Sequence, residues 1–280
     1  MWNHRIIAIT AMALIIVFGV TVLAQTSTES TEKEESLGQD VLINKSKKLS
    51  ALEKQEQLRI LYYKPIYFAY GEPTSKLQYS FRVPLFEKFP LNFAYTQIIF
   101  WELQEESKPF LDATYNPEMF YRIDYDKKTI RSLDLGIFEH NSNGKAGDQS
   151  RSYNQSYLRA NWAFESKSWV VQFSAKVKAI YGVDETNRDI YDYVGPLEGE
   201  IKFIQLFDSM FDQLEAVINI NPGGKWSTEF DKGGYQLSLN FHVGGLKVVP
   251  AFYVQYYHGY AETLVNYDQS VDEFRAGLMF

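Results

Sequence analysis

The sequence predicts an all-β protein: a twelve-stranded antiparallel transmembrane β-barrel. Three observations lead there. From about Arg59 to the last residue, segments of roughly ten residues alternate apolar and polar positions between turn-rich stretches, which is the period of strands and not of helices. The N-terminus has the form of an export signal. Trp and Tyr residues gather near strand ends, and the closing Phe274, Ala276, Leu278, Phe280 alternation finishes on an aromatic, as the girdles of outer-membrane barrels do.

Composition sets the outer bounds. The 280 residues carry a net charge of -7, which argues against nucleic acid as a partner. There is no cysteine, so disulfides and thiolate metal sites are excluded. Aromatic residues make up 16 % of the chain, a high share that suits a wall facing lipid.

In chain order, Met1 to Arg5 carries a basic residue and leads into an apolar run from Ile6 to Ala24. Val22-Leu23-Ala24 before Gln25 offers the residues that a signal peptidase reads, so 1–24 is expected to be a cleaved signal, with an uncleaved anchor helix as the other reading. Residues 25–58 are rich in Ser, Thr, Glu, Lys and Gln and bury too little to fold alone, which predicts a polar periplasmic tail or linker. The barrel is expected over 59–280, with strands near 59–71, 76–88, 90–104, 117–125, 129–142, 152–164, 168–181, 196–206, 211–221, 233–242, 247–259 and 272–280. Odd positions of Leu91 to Trp101 hold most of its bulky apolar residues, and the odd positions of Trp169 to Tyr181 oppose Gln172, Ser174, Lys176 and Lys178. Tyr235, Leu237, Leu239 and Phe241 face one way, with Gln236, Ser238, Asn240 and His242 on the other. A soluble sandwich would turn the apolar face inward and a barrel would turn it to lipid; the signal, the girdles and the terminal aromatic favour the barrel. Inner lysines such as Lys176 and Lys178 are expected to pair with acids such as Glu198 and Glu200, and His242 and His258 to be wall residues.

One corner stands out. Glu139-His140-Asn141-Ser142-Asn143-Gly144-Lys145 is followed by Ser150-Arg151-Ser152-Tyr153-Asn154, where one strand ends and the next begins. Asn154 shares the outward parity of Leu158 and Ala160, but His140 and Ser142 lie on the parity opposite to Leu133, Leu135 and Ile137. A one-residue bulge at Ile137 and Phe138 would return His140 and Ser142 to the outer wall beside Asn154. An imidazole two residues from a hydroxyl on one strand face can take its proton during attack on a carbonyl. An asparagine on the neighbouring strand can hold the other ring nitrogen. A solvated loop at a barrel rim would show the same residue types.

These residues resemble those of the outer membrane phospholipase A family, calcium-dependent barrel enzymes. His140-Asn141-Ser142-Asn143-Gly144 is similar to the family's His-x-Ser-Asn-Gly signature, and Ser150 to Asn154 to its Ser-Arg-Ser-aromatic-Asn segment. Tyr95-Thr96-Gln97, Ser107-Lys108-Pro109-Phe110, Tyr115-Asn116-Pro117, Asn187-Arg188-Asp189-Ile190, Tyr193-Val194-Gly195 and Gly259-Tyr260-Ala261-Glu262-Thr263-Leu264 agree as well, so the resemblance covers the chain from about 59 to its end. It implies hydrolysis of phospholipid acyl esters with Ser142 as nucleophile, His140 as general base and Asn154 as the residue orienting it. It also implies a catalytic Ca2+ held by the Lys145 main-chain carbonyl and the Ser150 hydroxyl of one subunit and by Ser107 of the other, assisting the Ser142 and Gly144 amides at the oxyanion. Lys145 stands where an arginine is usual, a change that a carbonyl ligand tolerates. A second calcium position falls in the 183–187 loop, on Asp184, with Glu185 and Thr186 beside it. Gln97 lies on the apolar face, where an amide is expensive unless paired; the resemblance implies that it is buried in a homodimer interface. The competing functional reading is a non-enzymatic barrel, a small porin or a structural protein, which would show conductance without hydrolysis.

Overall fold

The computed structural model describes residues 60–125, 129–207, 211–243 and 251–280. The expected signal (1–24) and tail (25–58) lie outside the described residues. Among the described residues, thirteen strand segments follow one another. They are β1 (Leu61–Tyr62), β2 (Tyr67–Gly71), β3 (Ser75–Pro84), β4 (Leu91–Trp101), β5 (Phe110–Asp124), β6 (Ile130–Ser142) and β7 (Ser152–Glu165), then β8 (Trp169–Tyr181), β9 (Leu197–Leu206), β10 (Phe211–Gly223), β11 (Glu229–Val243), β12 (Ala251–Gly259) and β13 (Val271–Met279).

Every neighbour along the chain from β2 to β13 pairs antiparallel, and β13 pairs back onto β2, so the sheet closes. Both β1 and β2 pair with the same side of β3, and together they are one stave interrupted at Pro65, whose carbonyl accepts from Gln78 Nε2 at 2.8 Å. The ring therefore has twelve staves. Closure gives every strand from β2 to β13 a partner on both sides, the condition for strands in hydrocarbon.

The distribution of side chains is inverted relative to a water-soluble protein. Leu133, Ile137, Phe138, Leu158, Phe164, Leu237, Leu239 and Phe274 are exposed on the outer wall, while Lys76, Gln78, Asp134, Glu139, Lys176, Lys178, Gln255 and Arg275 are buried inside. Arg122 meets Asp134 through two bonds of 2.8 Å, with Arg159 3.7 Å from the same carboxylate. Lys176 lies 2.8 Å from Glu139 and 3.6 Å from Glu198, which Lys178 reaches at 3.5 Å. Glu200 differs from expectation: it stands opposite Ser174 and takes no ion pair among the described residues. Lys76 and Arg275 converge on Glu262. His242 lies 3.6 Å from Glu215, and His258 bonds Asp272 at 2.6 Å.

The connections differ at the two ends. Turns at 85–90 and 166–168 are short, whereas 102–109, 143–151, 182–196 and 260–270 are longer and share the opposite rim, which assigns that rim to the cell exterior. There Tyr153, Ile190, Val194, Leu264 and Tyr267 form a small apolar core that caps the lumen. A one-turn helix α1 (Tyr191–Val194) contributes Val194 to it. The 260–270 loop is tied down by Asp112 Oδ2, which accepts from the Leu264 and Val265 amides at 2.8 and 2.9 Å.

Strand β5 begins at Phe110, seven residues before the expected 117, because Pro117 reads as a break in the sequence yet lies inside the strand. It stands opposite His140 in the register set by Tyr115↔Ser142 and Glu118↔Glu139. Proline has no N–H to give. The neighbouring Asn116 side chain substitutes, donating from Nδ2 to the His140 carbonyl at 3.0 Å, to Glu139 Oε1 at 3.1 Å and to Asn141 Oδ1 at 3.1 Å.

Removing one member of a buried charge cluster leaves its partners unpaired and costs about 3–5 kcal/mol. Asp134→Ala is expected to lower stability by that order, because it strands Arg122 and Arg159. Leu133→Ala, one residue away on the outer wall, exchanges lipid contact for lipid contact and is expected to cost less. Urea unfolding in lipid vesicles, followed by tryptophan fluorescence, checks the contrast.

Candidate active site

The site begins with a break in strand β6. Below it, Met119↔Phe138 gives way to Phe120↔Gly136 on one side, and Glu139↔Gln155 to Gly136↔Tyr157 on the other. Ile137 thus has no ladder partner on either neighbour, and Ile137 and Phe138 together face Ser156. Both are exposed, so two consecutive residues point outward, as the bulge reading requires. Above the bulge the alternation is reversed. Glu139, Asn141 and Asn143 turn into the barrel and are buried, while Phe138, His140 and Ser142 share the outer wall.

His140 and Asn154 are direct cross-strand partners, and His140 Nδ1 lies 2.8 Å from Asn154 Oδ1. The amide oxygen can only accept, so Nδ1 carries the proton and Nε2 presents a lone pair. Phe138 lies parallel to the imidazole, with ring centroids 6.3 Å apart and planes 3° from parallel. Asn154 is held in turn by shape. Gly182, just after β8, has φ +57, a conformation that favours glycine, and a Cβ placed there would lie 2.5 Å from Asn154 Nδ2 and displace that amide.

Ser142 is two residues beyond His140, at the last position of β6 and opposite Tyr115 and Ser152. The Gly144 amide points at its hydroxyl, with N and Oγ 3.3 Å apart. Gly144 adopts φ +65, which turns the chain at this place. The loop that follows is built on Asn143. Its Oδ1 accepts from the Lys145 and Arg151 amides at 3.2 and 3.0 Å, and its Nδ2 donates to the Gln149 carbonyl at 2.8 Å. From inside the barrel, Glu139 is fixed by Lys176 and Asn116, so residues on both sides of His140 are pinned.

Oxygen donors gather beside this loop. Ser150 Oγ donates to Asp184 Oδ2 at 2.9 Å. Thr186 gives Asp184 Oδ1 its amide at 3.1 Å and its hydroxyl at 3.0 Å, and that hydroxyl also reaches the Ser150 carbonyl. Donation from the Thr186 amide, joined by the Ser150 hydroxyl, holds the Asp184 carboxyl below the usual carboxylate range. Glu185 turns away to Arg188, 3.4 Å from its guanidinium. The Lys145 ammonium bonds the Leu111 carbonyl at 2.6 Å, which directs the side chain there. Among the described residues no three acidic or histidine side chains converge as a metal cage. Ser107 is exposed on the 102–109 loop of the same rim, with no hydrogen bond to Ser142, Lys145 or Ser150 among the described residues.

Gln97 lies on the outer wall between two tyrosines. Its Oε1 accepts from Tyr95 Oη at 3.1 Å and from Tyr79 Oη, and the residue is 9 % exposed. The cost of an amide facing hydrocarbon is thus met in part within one barrel. Asn116, Asn143, Gly182 and Asn187 are the residues that sequence reasoning did not single out. Asn187, fully buried, pairs both amide atoms with Ser152 and so fixes the start of the Asn154 strand. Asn116, Asn143 and Asn187 stand inside the matched motifs, where their residue type was the available signal, whereas Gly182 lies outside them.

Comparison with known proteins agrees with the barrel fold. The family profile "Phospholipase A1" matches residues 44–280. Phospholipase A1 of Klebsiella pneumoniae is 31% identical over 221 residues, covering 73% of this chain and 69% of that protein. That of Escherichia coli K12 is 31% identical over 220 residues, covering 73% and 68%. Among solved structures, the outer membrane phospholipase A of Escherichia coli superposes with a TM-score of 0.64 at 25% identity, over 78% of this chain and 90% of that one. The Salmonella typhi outer membrane phospholipase, crystallised as a dimer with bound calcium, shares the fold with a TM-score of 0.66 at 24% identity, over 80% and 93%. The chain belongs to the phospholipase A1 family and is a phospholipase of the Gram-negative outer membrane.

Proposed function

We propose that the protein hydrolyses acyl esters of phospholipids and lysophospholipids in the outer leaflet by a Ser142-His140-Asn154 mechanism, with calcium and as a homodimer. The observation that carries this reading is the outward His140–Asn154 pair at 2.8 Å, with Ser142 two residues further along the same face and an amide directed at its hydroxyl. With Nδ1–H engaged by Asn154, His140 Nε2 takes the proton of Ser142 Oγ as the oxygen bonds the ester carbonyl carbon. The carbonyl oxygen becomes an oxyanion within reach of the Gly144 and Ser142 amides. Collapse breaks the ester C–O bond, the leaving glycerol oxygen receives the proton from His140, and the acyl group stays on Ser142. Water, deprotonated by His140, then releases the fatty acid and restores the hydroxyl.

The donors near Lys145 suit a hard divalent cation: a hydroxyl, main-chain carbonyls and one ionised carboxylate. The Lys145 carbonyl and Ser150 of one subunit and Ser107 of the partner subunit would hold the catalytic calcium, with Asp184 serving the second position. Calcium bound there supplies positive charge next to the developing oxyanion. Ser150, Thr186 and Asp184 keep their mutual bonds and so preform that side of the loop. For the dimer, the face around Gln97 offers Tyr79 and Tyr115, both exposed, and an amide Nε2 that donates no hydrogen bond among the described residues. A second barrel on this face would also bring its Ser107 loop toward the site.

Two measurements check the reading. Fatty-acid release from mixed phospholipid and detergent micelles is expected to need calcium and to fall about 10³-fold or more in Ser142→Ala. Ser150→Ala is expected to raise the calcium concentration needed for half activity, and release that is indifferent to chelator and to both substitutions would defeat the proposal. Sedimentation in detergent is expected to show a calcium-promoted dimer that Gln97→Ala weakens; a monomer with full activity would exclude the dimeric form.

A further inference from the structure

We infer that Ser156 is a positioning residue for His140, acting by capping the carbonyl that the β6 bulge sets free; this rests on the reading of His140 as the general base. The argument starts from the ladder. The residue inserted at Ile137 has no register partner on β5 or on β7, so its carbonyl falls outside the regular ladder. Its carbonyl lies on a wall that faces lipid, where water is scarce and an unsatisfied polar group costs several kcal/mol. Ser156, the single β7 residue opposite the bulge, donates from Oγ to the Ile137 carbonyl at 2.8 Å. Since that donation uses its only proton, Ser156 Oγ accepts from Tyr181 Oη, 3.3 Å away. Tyr181 is in turn the cross-strand partner of Asn154. A chain of two hydroxyls thus runs from the strand that carries Asn154's neighbour to the backbone that aims His140.

Ser156 makes no hydrogen bond to the imidazole among the described residues. It occupies a lipid-facing position whose neighbours of the same parity are Asn154 on one side and Leu158 and Ala160 on the other. An apolar residue would be the ordinary choice below Asn154. A hydroxyl there is explained by the bulge. Without it the Ile137 carbonyl must find another partner, and the lowest-cost change is a relaxation of the bulge, which rotates Phe138 and His140 away from Asn154.

The test uses the refolded full chain. Ser156→Ala is expected to lower kcat about tenfold to a hundredfold with KM unchanged, since small displacements of a catalytic group have costs of that size. Ser156→Thr, which keeps Oγ, is expected to restore kcat to within about threefold of wild type, and Tyr181→Phe to lower it by a smaller factor than Ser156→Ala. In an Asn154→Ala background, the Ser156→Ala loss is expected to shrink, because both act through His140; a merely structural role predicts that the two losses multiply. Wild-type kcat in Ser156→Ala, multiplying losses, or failure of threonine to rescue would each overturn the assignment. If Ser156→Ala does not fold, as judged by heat-shifted gel mobility, wild-type kcat in Tyr181→Phe overturns it instead. Failure of the general-base reading is distinguishable, since then His140→Ala would retain activity whatever Ser156 does.

Discussion

A strand in a barrel wall has a period of two, and this single constraint organises the molecule. Every side chain faces either lipid or lumen, and no rotation of an individual residue changes which. Strand β6 needs buried Asp134 and Gly136 low on its inner face and needs His140 and Ser142 high on its outer face. Those two requirements are out of phase by one residue. The bulge at Ile137 is the only departure from the ladder between Ser132 and Ser142, and it corrects the phase. Remove it and the imidazole and the hydroxyl point into a packed, charged interior instead of the outer wall.

The interior makes that arrangement rigid. Closely spaced ion pairs hold β5, β6, β7, β8 and β9 together around Asp134, Glu139 and Glu198, and replacing them singly is costly because each charge is desolvated. Glu139 is both a member of this network and the residue immediately before His140. The lumen therefore fixes the height and register of the site, while lipid-facing contacts such as the Phe138 ring fix the imidazole plane. At the outer rim the cap of Tyr153, Ile190, Val194, Leu264 and Tyr267 plays the same part for Asn154, since Tyr153 precedes it and turns inward.

Much of this was legible in the residues. Alternation gave the wall faces, and parity alone exposed the conflict between Leu135 and His140 that only an inserted residue resolves. The end of β4 and the start of β5 were less legible, because Pro117 looks like a strand break and its compensation comes from an asparagine side chain, Asn116, whose partners lie on another strand. The same is true of Gly182, whose constraint is a close approach to Asn154 on the adjacent strand. Pairing partners inside the barrel were half legible: Lys176 and Lys178 meet Glu198 as parity suggests, but which of two acids on one face is reached depends on register, and Glu200 falls opposite Ser174. Periodicity assigns faces; it does not assign heights.

The central claim is that the phase change in β6 presents Ser142 as an activated nucleophile on the outer wall. The most direct measurement is covalent labelling of the refolded protein with a sulfonyl fluoride carrying a long acyl chain, in calcium, with the modified residue located by peptide mass spectrometry. The account predicts a single stoichiometric adduct on Ser142 that forms far more slowly in His140→Ala. An adduct on another residue, or labelling of Ser142 at the same rate without His140, would contradict it.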